Sequence, residues 1–590
     1  MATSTYDYFW QLASLDAEER LIAANGLITH LHKLYQEFIS SNKNLSKIND
    51  TKDFLGGLAS PRAAARHGFA LAFTELLASF EFFTFKMILP LIDDACPISS
   101  SKDKEGSDVI FGRVFGFASV VRSGILWRKA SSYDDYCEVI NGLLACANSK
   151  PYVRETCYQV IISTIPLLKE TTFEEKAISH LITVMNERSG VSGINNPDDI
   201  NLAIAIEAQY PDIIQSSQWI RVVVHNGDSC IAKWYKPHIL HPENLKKLAE
   251  AIQAKSSQSA AEIQQNQENR IHSVWNTIIL WLISPPTDKL RKQTVAFEEF
   301  WKTAVDECLF DDDATYQRKF WGFQLTEKAL QICPEDKFSS LFTFNLMRTL
   351  INHSYEKNRY LHEAAMHLLK IIEQVAEENQ RKALVIVKKF LGQNCDRDFD
   401  KVSKTYTVRN IFHVINNSTI EEYVLFLKNI FLRPDEYLLS DNDVTIQRRQ
   451  WIINHLYSLL KNPHINRHEG WLSLVLDLFL IYGFYTAKDS LLDDFSKDNK
   501  ATQECCRLRF FHALGELSAF RYLLSDDKTE KPIRTRSGFM KNGQTWAYYA
   551  VSLMNRFDND TQLEPLIILS DEAQQLKSTV LKLLHTIIDK

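Results

Sequence analysis

Apolar residues recur at three- and four-residue spacing through almost all of this 590-residue chain. The pattern is clear in YFWQLASLDAEERLIAANGLITHLHKL (residues 8–34) and again in QQLKSTVLKLLHTIIDK (residues 574–590), with charged side chains on the opposite face. This spacing is typical of amphipathic helices, each of which must bury one face against a neighbour. Because similar segments fill most of the chain between these two, the sequence predicts an all-α protein.

The predicted helices are joined by polar, turn-rich segments and share a local pattern. An Arg or His near the start of several helices is followed by small residues and then by aliphatic ones, as at Arg154 and His362. Helix pairs of this kind stack into solenoids, so we predict an α-solenoid of degenerate HEAT- or armadillo-like repeats. Residues 218–235, with Asn226 and Gly227 at a turn, are the one segment typical of a β-hairpin.

None of the polar segments is long enough to force separate domains. We therefore expect a single extended helical-repeat domain over residues 1–590. The one low-complexity segment is rich in Ser and Gln and covers residues 254–269. It offers an alternative division into an N-terminal half, residues 1–253, and a C-terminal half, residues 270–590.

Composition limits the classes of function that the chain can serve. Its 67 basic and 73 acidic side chains leave a formal net charge of -6, so nucleic-acid contacts would have to come from local basic patches. The ten cysteines form no Cys-x-x-Cys pair, as is typical of a reducing compartment. The longest apolar run, from Trp471, contains Asp477 and is short for a membrane span. With no signal-peptide layout at the N-terminus, we expect a soluble intracellular protein without a membrane partner.

Motifs for cofactor and metal chemistry are missing from the sequence. It contains neither a G-x-x-x-x-G-K-[ST] loop nor G-x-G-x-x-G, which cradle nucleotide phosphates. His362 and His367 are five residues apart and diverge by about 140° around a helix, too far to share a metal. His464 and His468 have the four-residue spacing but no third ligand beyond Glu469, which favours a capping or solvent-facing role. We predict no cofactor and no small-molecule substrate.

Three acidic clusters have the composition of a Mg²⁺-dependent catalytic centre. Each lies in a polar segment between predicted helices, where Asp and Asn usually form turns and helix caps. We interpret them in that way and predict no catalytic residues and no enzymatic activity. The clusters are Asp311 with Asp312 and Asp313, Asp441 with Asp443, and Asp558 with Asp560.

A basic segment near the C-terminus is the candidate nucleic-acid contact. It combines cationic side chains with one aromatic ring, a pairing that can hold phosphates and stack a base. The alternative is a solvated surface loop. The candidate residues are Lys531, Arg534, Arg536, Phe539 and Lys541.

The stretch GLASPRAAARHGFALAFTELL, residues 57–77, can be interpreted either as a phosphate-gripping segment or as one helix of the scaffold. Ser60 and Pro61 are typical of a helix N-cap and first position. From Arg62, at about 100° per residue, Arg66 lies at about 40° and Phe69 at about -20°. The arginines therefore share a stripe with apolar rings, which favours anchoring to a neighbouring helix through a carboxylate or carbonyl groups over a phosphate grip.

Gly68 lies off that stripe, where a missing side chain would allow another helix to approach closely. Together Arg62, Arg66, Gly68 and Phe69 form a candidate structural motif.

The same stretch resembles the N-terminal signature of the DNA polymerase phi / Myb-binding protein 1A family: a Gly-Leu, an Arg, an Ala-Arg-x-Gly-Phe and a Thr-Glu-Leu-Leu in this order. Further blocks that resemble the family follow in the same order, so that the resemblance covers about residues 5–560. These blocks are residues 111–126, 240–252, 272–280, 297–310, 318–330, 346–365, 399–408, 448–460 and 545–554.

The resemblance implies a nucleolar scaffold with armadillo- or HEAT-like repeats. It implies a role in ribosomal DNA transcription, rRNA synthesis and ribosome biogenesis, with pre-ribosomal or rDNA transcription proteins, and rRNA or rDNA, as partners. It also implies that the family's acidic and basic C-terminal tails are absent from this region. Two alternatives are a template-dependent DNA polymerase, as the family name suggests, with Asp441 and Asp443 as the nearest acidic pair, and a karyopherin-like transport scaffold.

Overall fold

The computed structural model describes residues 5–588 apart from a set of internal segments. Within the described residues almost every regular element is a helix, so the all-α prediction is confirmed. The solenoid of degenerate repeats stays a prediction. The segments outside the description are 42–54, 98–103, 190–193, 217–218, 220–233, 254–269, 392–398, 413, 416–418, 433–441, 463–464, 466, 488–499, 522, 526–531, 535–536 and 541.

The chain folds as two compact units, Met1–Cys308 and Leu309–Lys590. The helices Leu245–Gln253 and Ser273–Ile283, on either side of residues 254–269, both belong to the first unit. Residues 254–269 themselves lie outside the described residues, and the division into halves at that segment stays a prediction.

Fourteen α-helices are described up to the end of the first unit. Short 3₁₀ turns connect several of them, and a π-helix, Trp301–Asp306, follows α13. The helices are α1 Thr5–Leu12, α2 Ala17–Ser41, α3 Ala63–Ser79, α4 Phe85–Ala95, α5 Lys104–Arg122, α6 Tyr133–Ser149, α7 Pro151–Thr164, α8 Glu174–Ser189, α9 Pro197–Gln209, α10 Leu245–Gln253, α11 Ser273–Ile283, α12 Asp288–Arg291, α13 Phe297–Phe300 and α14 Glu307–Leu309.

The second unit continues the helical pattern and adds four strands of three residues each. Its described helices are α15 Tyr316–Ile332, α16 Glu335–Phe338, α17 Phe344–Ser354, α18 His362–Glu378, α19 Gln380–Leu391, α20 Phe399–Ser403, α21 Thr407–Phe412, α22 Ile420–Leu432, α23 Asn442–Lys461, α24 Glu469–Phe484, α25 Lys500–Ala519, α26 Trp546–Asp558 and α27 Asp571–Ile588. Its strands are β1 Tyr485–Ala487, β2 Leu523–Ser525, β3 Pro532–Arg534 and β4 Leu563–Pro565.

The strands form two small antiparallel sheets, β1 with β4 and β2 with β3. Tyr485 pairs with Pro565 in the first sheet, and Leu523 pairs with Arg534 in the second. The sequence did not predict these strands, because three residues are too few to show alternation. The predicted hairpin at 218–235 lies almost entirely outside the described residues.

Helices that are consecutive, or nearly so, in the chain pack on each other within each unit. In the first unit α6 packs on α7 and α3 on α5, and in the second α24 packs on α25 and α15 on α18. Their apolar faces form continuous cores, to which large rings such as Trp275 and Trp471 contribute almost fully buried side chains. Among the described helices, none combines the length and apolar character needed to cross a membrane.

The predicted cap at Ser60 is wrong by two residues. A 3₁₀ turn, Gly57–Ala59, ends at Ser60, and Arg62 is the true N-cap, with extended dihedral angles (φ -88°, ψ 119°), so that α3 begins at Ala63. The Ser60 hydroxyl accepts a hydrogen bond from the Arg62 amide at 3.3 Å. The hydroxyl therefore stabilises the turn that precedes the helix, which explains why a residue typical of an N-cap lies two positions before the true N-cap.

The histidines singled out in the sequence bind separate partners. The Nδ1 atom of His362 lies 3.1 Å from the His353 carbonyl oxygen, and Nε2 of His367 lies 3.4 Å from a Glu327 carboxylate oxygen. His468 is the N-cap of α24, where its Nδ1 accepts a hydrogen bond from the Gly470 amide. His464 lies outside the described residues.

The acidic clusters are engaged in ion pairs and turns where they are described. Asp312 pairs with Arg348 at 2.6 Å, and Asp558 accepts a hydrogen bond from the Tyr485 hydroxyl and pairs with Lys577. Asp560 accepts the Gln562 amide, as in a turn. Asp441 and the side chain of Asp443 lie outside the described residues.

Candidate nucleic-acid interface

The predicted basic segment near the C-terminus is described only in part. Arg534 ends strand β3, and Phe539 forms an isolated antiparallel bridge with Thr545. Lys531, Arg536 and Lys541 lie outside the described residues. A nucleic-acid contact at this segment therefore stays a prediction.

Arg66 makes three contacts, two of which connect α3 to α5. Its guanidinium donates to the Ser60 carbonyl oxygen at 2.7 Å and to the Asp108 carboxylate at 3.1 Å. It also lies over the Phe111 ring, 4.9 Å from the ring centre. Only 12% of the Arg66 side chain is exposed, so the group is held inside a helix contact and is a poor candidate for gripping phosphate.

The other residues of this motif have unequal roles. Arg62 is exposed and donates one hydrogen bond, to the Ala13 carbonyl oxygen at 3.1 Å. Phe69 is buried and packs on Phe9 of α1. Gly68 is buried against the C-terminal end of α1. The motif thus positions α1 and α5 on α3.

Arg66→Ala is expected to lower the free energy of unfolding of the first unit by about 2 kcal/mol, because it leaves a partly buried carboxylate and a carbonyl without their donor. Arg62→Ala is the matched control and should cost less than about 1 kcal/mol. Urea unfolding of both variants would measure this. A normally stable Arg66→Ala protein that has lost nucleic-acid or partner binding would contradict the structural role.

The second unit contains a cavity of about 600 Å³ that combines cations with aromatic rings. We call it the aromatic-basic cleft. It lies between the α20–α21 segment on one side and α23 on the other. The residues that define it are Lys401, Lys404, Tyr406, Arg409, Trp451 and His455.

The turn between α20 and α21 is built by Asp400 and Lys404. Both carboxylate oxygens of Asp400 accept amide hydrogens at the start of α21, from Val408 and Arg409, at 2.9 Å each. Lys404 has φ +57°, a left-handed conformation that ends α20 as a C-terminal cap. Gly or Asn is usual at such a position, so a lysine there is held by its surroundings.

The cations of the cleft are not neutralised locally. Lys401, Lys404 and Arg409 are exposed, and within the described part of the chain none of them forms an ion pair with a carboxylate. These three cations outnumber the one carboxylate among the described residues that line the cleft, that of Asp400, whose oxygens accept backbone amides. The cleft therefore presents positive charge, although the whole chain has a net charge of -6.

The aromatic wall of the cleft is centred on His455. The imidazole stacks on the Trp451 ring with 4.9 Å between centroids and 3° between planes, and it packs on Phe412 at 4.4 Å. Its Nε2 atom lies 2.9 Å from the Tyr423 hydroxyl. Burial lowers the pKa of His455 to about 4. The ring is therefore neutral near pH 7 and supports Trp451 as an apolar platform.

Stability is expected to fall as the pH is lowered through the titration of His455. The unfolded imidazole has a pKa of about 6.5, so between pH 6.5 and 4 the unfolded state binds more protons than the folded state. The neutral His455 ring contributes roughly 3 kcal/mol to the free energy of unfolding. This contribution is complete above pH 6.5 and is lost as the pH falls towards 4.

The experiment compares wild type with His455→Phe, which keeps a ring and removes the titration. The stability difference between the two proteins, from urea unfolding at pH 7, 5.5 and 4.5, should change with pH in favour of the variant under acid conditions. A difference that is independent of pH would contradict the assignment to His455.

Sequence reasoning missed the cleft, although local signals were present. Two lysines precede Tyr406 and an arginine follows it in the segment FDKVSKTYTVR, residues 399–409. Trp451 follows a pair of arginines in α23. The sequence shows no connection between these segments, which are more than 40 residues apart, and their convergence comes from packing within the unit.

A comparison with known proteins identifies the family to which the chain belongs. A sequence model of the family described as DNA polymerase phi matches residues 54–590. The chain belongs to the DNA polymerase phi family. This confirms the resemblance seen in the ordered sequence blocks, and two of those blocks, residues 399–408 and 448–460, contribute the opposite sides of the cleft.

Individual known proteins are similar to the chain along much of its length. The rDNA transcriptional regulator pol5 of Schizosaccharomyces pombe is 27% identical over 592 aligned positions, covering 100% of this chain. The rDNA transcriptional regulator POL5 of Saccharomyces cerevisiae is 24% identical over 69% of this chain, and Myb-binding protein 1A of Rattus norvegicus is 20% identical over 93%. These matches cover 58%, 43% and 38% of the relatives' own lengths, so the chain spans about half of them or less.

Proposed function

We propose that this chain is a non-enzymatic scaffold of the nucleus and nucleolus that regulates rDNA transcription and supports rRNA synthesis and ribosome biogenesis. It acts by binding rDNA transcription or pre-ribosomal proteins, and RNA or DNA. The observation that carries this proposal is the family match over residues 54–590, together with relatives named as regulators of rDNA transcription.

The structure supports a binding role in two ways. Within each unit the outer faces of packed helices offer a surface over which many weak contacts can add up. The aromatic-basic cleft adds a local site whose cations and rings suit a polyanion with flat bases. Asp312 and Asp558 belong to the acidic clusters that a polymerase could use for Mg²⁺. They form ion pairs with Arg348 and Lys577, which favours the scaffold over the polymerase.

The proposal is tested by crosslinked affinity purification of the full chain from its cells, combined with chromatin immunoprecipitation at rDNA. We expect enrichment of rDNA repeats and of pre-ribosomal or RNA polymerase I proteins over a nuclear control protein. Depletion of the chain should lower pre-rRNA synthesis.

Two results would contradict the scaffold. Enrichment of import cargo without rDNA or pre-ribosomes would favour a karyopherin-like role. Mg²⁺-dependent, template-directed nucleotide incorporation by the purified chain, lost when Asp441 and Asp443 are both replaced by Asn, would favour the polymerase.

A further inference from the structure

A group of exposed tyrosines adjoins the aromatic-basic cleft. The Lys404 ammonium lies 3.8 Å from the centre of the Tyr355 ring, a close cation–π contact. Lys404 lines the cleft, whereas Tyr355 stands at the C-terminal end of α17 and is 43% exposed. This lysine therefore connects the cleft to a second aromatic surface.

Two further exposed rings lie near α17. Tyr316 packs on His353 of α17 at 6.0 Å and on Tyr360 at 5.2 Å. Tyr316 is 55% exposed and Tyr360 79%. We call Tyr316, Tyr355 and Tyr360 the tyrosine cluster. Tyr316 and Tyr360 contact each other in water, and the exposed Tyr355 follows His353 by two residues at the end of α17, so that exposed rings mark this part of the surface as a candidate interaction surface.

The tyrosine cluster also lies among cations. His353 contacts the edge of the Tyr316 ring. Burial lowers the pKa of His353, and the charges of Lys319 and Arg359 lower it further. Lys319 donates to the Asp312 carbonyl oxygen and Arg359 pairs with Glu356 at the surface. Rings and cations thus occur together here as well, although Arg359, unlike the cations of the cleft, is paired with a carboxylate.

This repetition favours single-stranded nucleic acid over other ligands. Successive bases of a single strand stack on successive aromatic side chains while cations follow the backbone. A duplex keeps its bases paired and stacked on each other, and the cleft is a recess, whereas duplex grooves are read by protruding elements. An acidic peptide would use the cations but would have no need for several separate rings.

We propose that the aromatic-basic cleft and the tyrosine cluster form one binding track for single-stranded RNA or DNA. Trp451 and Tyr406 stack bases in the cleft, and Lys401 and Arg409 hold the neighbouring phosphates. Tyr316 and Tyr360 stack bases further along the strand. This inference rests on the proposed function and names the ligand class of its cleft.

The test uses the purified 590-residue chain and fluorescence anisotropy. The probes are a labelled 15-nucleotide single-stranded RNA of mixed pyrimidine sequence, DNA of the same sequence, a fully paired duplex of that DNA, and a polyglutamate peptide as competitor. We expect both single strands to bind at least tenfold more tightly than the duplex, and polyglutamate to compete only weakly.

Substitutions in the track should affect binding in two distinguishable ways. Tyr406→Ala and Trp451→Ala remove a stacking ring and should weaken binding between about fivefold and a hundredfold each, with Trp451→Phe retaining most of the affinity. Lys401→Gln and Arg409→Gln should each weaken binding and lower the slope of log affinity against log salt by about 0.7. Tyr406 is 67% exposed, so its variant tests the track without disturbing the core.

Matched controls lie outside the track. Tyr235→Ala removes a ring that is 56% exposed in the first unit, and Lys370→Gln removes an exposed cation on α18. Both should bind like wild type. Equal affinity for duplex and single strand, unchanged binding by Tyr406→Ala, or stoichiometric displacement by polyglutamate would each overturn the track, the last in favour of an acidic peptide. If rDNA and pre-ribosomes still co-purify from cells, such a result leaves the proposed function standing.

Discussion

Gly68→Ala is expected to lower the free energy of unfolding of the first unit by about 3 kcal/mol. A Cβ atom at this position would lie 1.9 Å from the Leu12 carbonyl oxygen and 2.8 Å from its carbonyl carbon. These are backbone atoms at the end of α1, so the helix itself would have to move. At a helix position with free space around it, Gly→Ala raises the free energy of unfolding by up to about 1 kcal/mol. The expected effect at Gly68 therefore has the opposite sign.

Gly515→Ala is the matched control for this effect. Gly515 lies within α25, and apart from its chain neighbours and the backbone of its own helical turns nothing would lie within 4 Å of its added Cβ. This variant should unfold at or slightly above the wild-type denaturant midpoint. Urea unfolding would measure both changes, and hydrogen exchange should show faster exchange of amides in α1 only for Gly68→Ala. Wild-type stability of Gly68→Ala would show that α1 does not pack on α3 as described.

Glu207→Ala is expected to destabilise the first unit by about 3–5 kcal/mol. One oxygen of the fully buried Glu207 carboxylate lies 2.8 Å from Nδ1 of His238, and the other accepts the Ile239 amide at 3.0 Å. Nε2 of His238 lies 3.0 Å from the Thr294 hydroxyl. Removing the carboxylate leaves a buried imidazole and a buried amide without their partner.

Two control variants separate this network from ordinary effects of charge. Glu250→Ala removes an exposed carboxylate in the same unit and should change stability by less than about 0.5 kcal/mol. Thr294→Val keeps the contact between Glu207 and His238 and should cost about 1 kcal/mol. Calorimetric or urea unfolding would rank the three variants, and a Glu207→Ala protein as stable as Glu250→Ala would show that the network contributes nothing.

The cleft was only partly accessible to sequence reasoning. The contacts of Asp400 with Val408 and Arg409 span fewer than ten residues, so a turn with exposed lysines could have been predicted from that segment. The platform formed by Trp451 and His455 comes from a helix more than 40 residues further along. Which helix packs opposite a given turn depends on non-local contacts, and a single sequence contains no signal for such pairs.

The helices and the family follow from the amino-acid sequence alone. Amphipathic spacing is a local property, since a side chain three or four residues away lies on the same face whatever the rest of the chain does. Ordered blocks along the chain likewise need no fold to be recognised. The helix start at Ala63, by contrast, was missed by two residues because the preceding 3₁₀ turn uses the Ser60 hydroxyl.

Which side chains contact each other depends on the tertiary structure. Gly68 matters because α1 ends against it, and Glu207 matters because His238, 31 residues away, is buried beside it. Asn244 is a further case: its amide group bonds to the backbone at Tyr235, Lys236 and His238 and holds that segment in place. Such contacts join groups whose separation in sequence is arbitrary, and only the packing of whole helices, which buries apolar area and excludes water, brings them within bonding distance.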